Sequence, residues 1–309
     1  MDDNTPRDLA QLVLGRLTAL GTVKAMEYFD VSEGTIHAWR KGKTPPSLEA
    51  AQRVWDDTLL CQSPEVWGKG TESVFLLMPM YEMIEPITFT TLVRACKIYG
   101  FEKISIIPKW KTLIDEARND LAERFLLTPA EWCIFPDADG VFPCNSGAML
   151  RQIGLNLPEP KASRNAIERI MSHPKENRII GALYKDRRSG TRAQCETAFK
   201  NPAENARLLG LFDGKTESDG LEETGWVGFG FVRIHRSVFV EMKAEMKAGG
   251  KLADCAPPPG REREPYGYFG RTSQWRGEDV AFCRRAGILG IKTYVDTGLL
   301  LGHIGSKIY

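Results

Sequence analysis

Two carboxylates one residue apart, Asp137 and Asp139, leave an apolar run of strand length, Glu131–Phe135, by way of Pro136. Side chains alternate along extended backbone, so both acids can point toward one pocket wall, with Ala138 between them. Hard divalent cations prefer carboxylate oxygens and bridge readily to phosphates. The pair is therefore suited to neutralising a phosphorylated ligand through a cation, while ordinary turn chemistry after a strand accounts for the same residues without one. No G-x-G-x-x-G follows the first strand, and no G-x-x-x-x-G-K-[ST] occurs anywhere, so a Gly-rich backbone cradle for phosphate is missing. Gly228-Phe229-Gly230-Phe231 allows close backbone approach, either to a sugar lying flat on the chain or at a β-bulge. Glu278-Asp279 opens a helix behind Gly277, where acids are favoured by the helix dipole whatever else they do.

The elements that must hold these groups fall into two units. Residues 1–62 read as short helices only, residues 63–72 as a polar linker with Pro and Gly, and residues 73–309 as an α/β domain. In the second unit Ser73–Met80, Lys103–Pro108 and Glu131–Phe135 are apolar runs of strand length. Between them lie helical patterns over Pro86–Tyr99 and Thr112–Leu126, the latter with Leu113, Ala117, Leu121 and Phe125 as its stripe. Alternating strand and helix with buried runs predicts a parallel sheet covered by helices. Ligands of such sheets sit at the carboxyl ends of the strands, here Pro79-Met80-Tyr81, Pro108-Lys109-Trp110 and Asp137-Ala138-Asp139.

In the first unit, Arg7–Ala19, Thr22–Phe29, a third segment from Ser32 to about Lys41, and Leu48–Leu59 each carry helical spacing. Ser32 caps the third helix, whose inner face is Ile36 and Trp39. Thr35, His37, Arg40 and Lys41 fall largely outside that face. The stretch VKAMEYFDVSEGTIHAWRKGKTPP resembles the helix-turn-helix of phage-repressor and Cro-type domains. That resemblance places the third helix in a DNA major groove, with Thr35, His37, Arg40 and Lys41 as contacts; a small helical bundle used for docking or dimerisation is the other reading.

Composition bounds what the chain can be. Its 309 residues are 42% hydrophobic and 26% charged, ordinary for a globular protein. The N-terminus is acidic and polar, unlike a signal peptide, and no apolar run reaches the ~18 residues that span a bilayer. Lys plus Arg is 41 against 40 for Asp plus Glu, so a nucleic-acid contact requires a local patch. One exists: residues 161–210 hold eleven Lys or Arg against five Asp or Glu, centred on Tyr184–Arg192 with Arg187, Arg188 and Arg192. Seven cysteines, none in C-x-x-C, read as buried reduced thiols in a cytoplasm. His173 and His235 read as structural.

From Ser73 to Tyr309 the chain resembles phage-encoded glycosyltransferases of the GT-A fold. The resemblance lies in the order of six segments: SVFLLMPMYE, LIDEARNDL, EWCIFPDADGVFP, IIGALYKDRR, GWVGFGFVRIHRSVF and WRGEDVAFCRRAGILGIKTYVDTGLLLGHIG. It implies a nucleotide-sugar donor, a UDP-sugar first, and Mn2+ or Mg2+. It also implies Asp139 as direct metal ligand, with Asp137 beside it and His303 recruited late in the chain. An imidazole suits manganese better than magnesium. Lys307 would contact the departing diphosphate, and Arg118 would help hold the nucleotide. Pro79, Met80 and Tyr81 would line the nucleobase, with Asp137, Ala138 and Gly228 completing the donor site. Asp279, with Glu278 beside it, would act as general base on the acceptor hydroxyl.

A helix-turn-helix joined to a phage-type transferase points to DNA as acceptor, in the cytoplasm of an infected host cell. A hydroxymethylated pyrimidine such as hydroxymethylcytosine supplies the hydroxyl. Pro257–Trp275, with Arg261, Arg263, Arg271, Tyr266, Tyr268 and Phe269, reads either as a lid on which an extruded base stacks or as a surface loop. The alternatives are transfer to a protein or surface polymer, and a nucleotide-sugar-sensing regulator.

Overall fold

The computed structural model describes residues 31–41, 74–80, 84–100, 104–110, 112–142, 165–186, 189–216, 220–257, 259–261, 264–274 and 277–303, with Thr22, Ala25, Met26 and Lys43; the side chains of residues 86, 87, 98, 110 and 303 are excepted. The chain divides into two compact units, Met1–Val66 and Trp67–Tyr309. In the first, helix α1 (Glu33–Arg40) starts where the Ser32 hydroxyl accepts the N–H of Thr35. Ile36 and Trp39 are buried, while His37, Arg40 and Lys41 are exposed and Thr35 is half-buried. The helices expected over Arg7–Ala19 and Leu48–Leu59, most of Thr22–Phe29 and the linker 63–72 lie outside the described residues.

The second unit is a mixed α/β domain. Its strands are β1 (Val74–Met80), β2 (Ile104–Trp110), β3 (Trp132–Pro136), β4 (Gly140–Val141), β5 (Ile179–Tyr184), β6 (Leu221–Thr224), β7 (Phe231–His235) and β8 (Thr293–His303). Its helices are α2 (Pro86–Tyr99), α3 (Ile114–Leu126), α4 (Ala166–Met171), α5 (Glu196–Lys200), α6 (Pro202–Phe212), α7 (Arg236–Lys247) and α8 (Glu278–Ile288). The strands form one eight-stranded sheet in the order β2-β1-β3-β7-β5-β8-β4, with β6 also paired to β8. β2, β1 and β3 are parallel, as the alternating pattern predicts. The sheet as a whole is mixed, not parallel. β7 runs antiparallel to both β3 and β5, and β4 and β6 run antiparallel to β8. A short buried strand such as FVRIH carries no mark of its direction. Its neighbours settle that.

Two apolar layers cover the sheet. Along β1 the alternation sends Val74, Leu76, Met78 and Met80 to a cluster with Leu92 and Cys96 of α2 and Ile167 and Ile170 of α4. Phe75 packs on Phe125 of α3, which meets Phe239 of α7 edge-on, and Phe239 in turn packs against Phe282 of α8. Ala117, Leu121 and Phe125 are buried as their spacing predicts, but Leu113 is 58% exposed. It falls at the N-cap, before the helical stripe begins. No helix among the described residues is long and apolar enough to cross a membrane.

The end of α3 is fastened by Arg236 at the start of α7. Its guanidinium donates to the carbonyls of Phe125, Leu126, Thr128 and Ala130, at 2.6 Å for Thr128. A helix C-terminus leaves such carbonyls without partners, and a cation also suits its dipole. Arg236→Ala is expected to destabilise the fold by about 2–3 kcal/mol and lower the thermal midpoint by roughly 5–10 °C, with Arg236→Lys recovering part. An unchanged midpoint in thermal unfolding would show that solvent replaces these bonds at no cost.

Candidate functional site at the carboxyl edge of the sheet

The reversed strand β7 assembles this edge. Because it runs against β3, its first residue, Phe231, pairs with the last of β3, Pro136. The turn before it, Gly228–Gly230, is thereby delivered beside Asp137, whose N–H donates to the carbonyl of Gly230 at 3.0 Å. β5 ends at the same edge with Tyr184, and β8, parallel to β5, ends there at His303. β4 then pairs with the end of β8 so that Gly140 is the backbone partner of His303 and Val141 that of Gly302. This register sets the His303 backbone next to Asp139, 164 positions away in the chain by subtraction of the two numbers. The side chain of His303 lies outside the described residues.

Arg118 occupies the centre. It sits on the inner face of α3, 2% exposed, where a surface ion pair would have left it in solvent. One terminal nitrogen donates to Glu278 Oε1 at 2.6 Å, and the other to Asp137 Oδ1 at 2.6 Å and to the Phe229 carbonyl at 3.4 Å. The guanidinium also lies 5.3 Å from the centre of the Phe229 ring. Burial works against its charge, but Asp137, Glu278 and Asp279 outweigh that and hold it above its ordinary pKa.

Asp279 is the other unusual charge. Burial first, and then the charge of Glu278, push its carboxyl up to about 6, against the pull of Arg118. Its Oδ1 accepts the N–H of Val280 at 2.7 Å. A Cβ at Gly277 would stand 2.6 Å from that same oxygen, so the glycine ahead of α8 makes room for the carboxylate.

Tyr184, read from sequence only as part of a basic stretch, belongs to this site. It is 7% exposed, and its hydroxyl accepts the N–H of Gly230 at 3.2 Å. Burial and then the charges of Asp137 and Asp279 hold that hydroxyl well above the ordinary phenol range. A Cβ on Gly228 would lie 2.2 Å from the Tyr184 oxygen, and one on Gly230 2.8 Å from its ring. The close approach expected of Gly228 toward a sugar is thus an approach to Tyr184, and the glycines are required by packing. Sequence held a usable signal in two glycines flanking one aromatic, but not the identity of what they face.

Other expected site residues distribute unevenly. Met80 packs into the core with the α2 and α4 side chains, and Pro79 is buried, so neither offers an open wall for a base. Ala138 is half-buried against the same core, and its carbonyl accepts the N–H of Glu85 at 3.0 Å. Asp139 is half-buried beside Gly140. Tyr81, Lys307, Arg187 and Arg188 lie outside the described residues. Arg192 is exposed with its guanidinium 4.6 Å from the Phe199 ring, and Lys185 faces Asp213 at 3.9 Å. The described aromatics of Pro257–Trp275 do not form a stacking platform. Tyr266, Tyr268 and Phe269 are buried, Phe269 stacks on Phe282 at 4.6 Å, and Tyr268 donates to Glu123 at 2.5 Å. Of the five described cysteines, Cys96, Cys133, Cys195 and Cys283 are buried and Cys255 is half-buried; positions 61 and 144 lie outside.

His173 has a structural partner. With Arg169 it flanks Asp296, which is fully buried and accepts from both at 2.7–2.8 Å. His235 caps α7 by accepting the N–H of Ser237. In the first unit Arg40 donates to the Thr22 hydroxyl at 2.6 Å, and His37 lies 3.4 Å from Glu33. Among the described residues no group of three or more His, Cys, Asp or Glu is placed to hold a metal ion.

No protein-family model matches the chain, and no curated protein does. Among solved structures it is similar to the crystal structure of A197 from STIV, at 13% identity and a TM-score of 0.39, over 75% of this chain and 85% of that one.

The raised pKa of Asp279 has a measurable consequence for stability. The folded carboxyl binds its proton more tightly than the unfolded one, so ionisation costs the fold stability as pH rises through about 6. Asp279→Asn should therefore raise the thermal midpoint at pH 8, by on the order of 3 °C or more. That gain should fade below pH 6 and vanish below about pH 4, where both states carry a protonated acid. A lower midpoint at pH 8 would show instead that the fold needs the carboxylate.

Proposed function

We propose that the chain is a GT-A-fold glycosyltransferase of the bacteriophage DNA-modifying kind. It would transfer a sugar from a UDP-sugar or other nucleotide-sugar to the hydroxyl of a 5-hydroxymethylpyrimidine in DNA. The observation that carries this reading is the convergence of Asp137 with Glu278-Asp279 through Arg118, at the strand ends where open α/β sheets take their ligands. One unit of a transferase site, the acid pair after β3, and another, the acid pair opening α8, meet although 141 positions separate Asp137 from Glu278 by number.

A divalent cation fits the donor chemistry of this edge. Small hard cations are commonly held by one or two carboxylates with substrate phosphates and water completing the shell, so a closed protein cage is not required. Asp139 and Asp137 would hold it, with the imidazole of His303, whose backbone lies opposite Gly140, as the late ligand. When bound, it would neutralise the departing diphosphate. The rest falls to the chain. Asp279 would take the acceptor's hydroxyl proton on a carboxylate oxygen as the acceptor oxygen bonds the anomeric carbon and the bond to the diphosphate oxygen breaks. A carboxylate with a pKa of about 6 is a stronger base than an ordinary aspartate, and still largely ionised at neutral pH.

For the acceptor, support comes from α1, whose exposed His37, Arg40 and Lys41 oppose the buried Ile36 and Trp39. A buried apolar side and a basic exposed side is what a helix needs to enter a groove. The buried Tyr266, Tyr268 and Phe269 leave base recognition to other residues.

The test is mass spectrometry of nucleosides after incubating the protein, Mn2+ and a panel of nucleotide-sugars with DNA containing cytosine, 5-hydroxymethylcytosine or 5-hydroxymethyluracil. A hexose-sized gain on one hydroxymethylated nucleoside is the expected result, abolished by Asp139→Ala. Donor hydrolysis without labelled DNA would retain the transferase and discard the acceptor; neither product would discard both. Turnover should rise with pH through about 6 and then level off, as Asp279 ionises. Arg40→Ala with Lys41→Ala should weaken DNA binding on a salt-dependent scale, and unchanged affinity would remove the DNA role of α1.

A further inference from the structure

An arginine that binds a donor must present N–H groups to it. Arg118 does not. It is 2% exposed, both terminal nitrogens donate to protein oxygens, and its Nε is buried without a hydrogen-bond partner. The expectation that it holds the nucleotide therefore fails on geometry.

What it touches suggests another role. The two acids it bonds lie 19 and 160 positions away, one leaving β3 and one opening α8. The guanidinium fork joins those two segments directly. The Phe229 carbonyl and ring fix the plane of that fork from a third side, the turn that also carries Gly228 and Gly230. Glu278 and Asp279 are adjacent in the first turn of α8, so fixing one sets the direction of the other. We propose that Arg118 is the positioning residue of this site, clamping the acid pair after β3 to the acid pair opening α8 so that both face one substrate. This inference rests on the transferase reading for its chemistry, although the clamp itself is a statement about the fold.

The planar fork matters. A lysine ammonium is a point charge and cannot make two divergent bonds of fixed direction. Arg118→Lys should keep the net charge and lose the clamp in part, and Arg118→Gln should lose it entirely.

The experiment uses the full chain with both variants. UDP binding in the presence of Mn2+ is measured by calorimetry, donor turnover is resolved into kcat and KM, and thermal unfolding is followed throughout. A misplaced reacting group costs about 100-fold in rate. Arg118→Gln should therefore lose about that much in kcat, with Arg118→Lys between it and wild type, while KM and the UDP Kd stay within about threefold. A rise in KM and Kd with kcat retained would make Arg118 a donor contact and overturn the proposal, as would unchanged kcat. Should Arg118→Gln not fold, Arg118→Lys alone decides by the same split. Wild-type protein that neither binds UDP nor turns over a donor would sink the transferase reading instead. The clamp is then judged by a thermal double-mutant cycle between Arg118→Lys and Glu278→Gln. A double variant that loses less than the sum of the singles supports it, and simple additivity overturns it.

Discussion

A guanidinium taken out of water must find its counter-charges inside the protein, and the arrangement around Arg118 follows from that requirement. Leaving a buried ion unpaired costs several kcal/mol, more than most single contacts contribute. Arg118 can remain charged at 2% exposure only if the chain brings carboxylates to it. It draws them from two segments far apart in the chain, Asp137 after β3 and Glu278 at the start of α8. Its buried Nε is left unsatisfied, a cost that two charge-assisted bonds offset. Burial first, and then the charge of Glu278, raise Asp279 at the same place. One buried cation thus accounts for the geometry of the edge, while its unusual acid is raised in spite of that cation.

The sheet supplies the platform. Had β7 been parallel to β3, the turn Gly228–Gly230 would sit at the opposite end of the sheet and Tyr184 would lose the two glycines it now packs against. Reversal puts that turn, the end of β5 and the end of β8 on the edge that already carries Asp137. Beneath it, Phe229, Phe269 and Phe282 pack ring against ring, so the turn rests on aromatic core contributed by the 264–274 segment and by α8. Aromatics that read from sequence as part of either a lid or a surface loop are thereby committed to holding α8 in place. That is why their exposure is so low in a segment otherwise rich in Pro, Gly and Arg.

Much of this was legible in the chain because it is local. Apolar runs at 74–80 and 132–135 and the helical stripe through Ala117, Leu121 and Phe125 are short-range patterns, and burial follows them closely; the run at 104–107 forms its strand, but Ile107 is buried there and Ile106 exposed. So are the Ser32 cap and the start of α2 at Pro86. The acids at 137, 139, 278 and 279 announce themselves by type and position after a strand or before a helix. Leu113 was misread because a stripe extrapolates smoothly past the turn where the helix starts. Met80 was misread because a strand's last residue can face the core as readily as the pocket.

Sequence by itself determined the element types, two compositional units and a set of acids at strand and helix ends, since each depends on neighbours a few positions away. Only tertiary structure decided that Arg118 faces inward, that β7 reverses, that Tyr184 fills the space over two glycines and that His303 lies across from Gly140. Each of these rests on a partner well beyond the reach of local pattern, from 19 to 160 positions away around Arg118 alone, or on the sense of a strand. Periodicity carries neither kind of information, because hydrogen-bonded strands of either direction bury the same residues and a charge gives no sign of which distant charge will meet it.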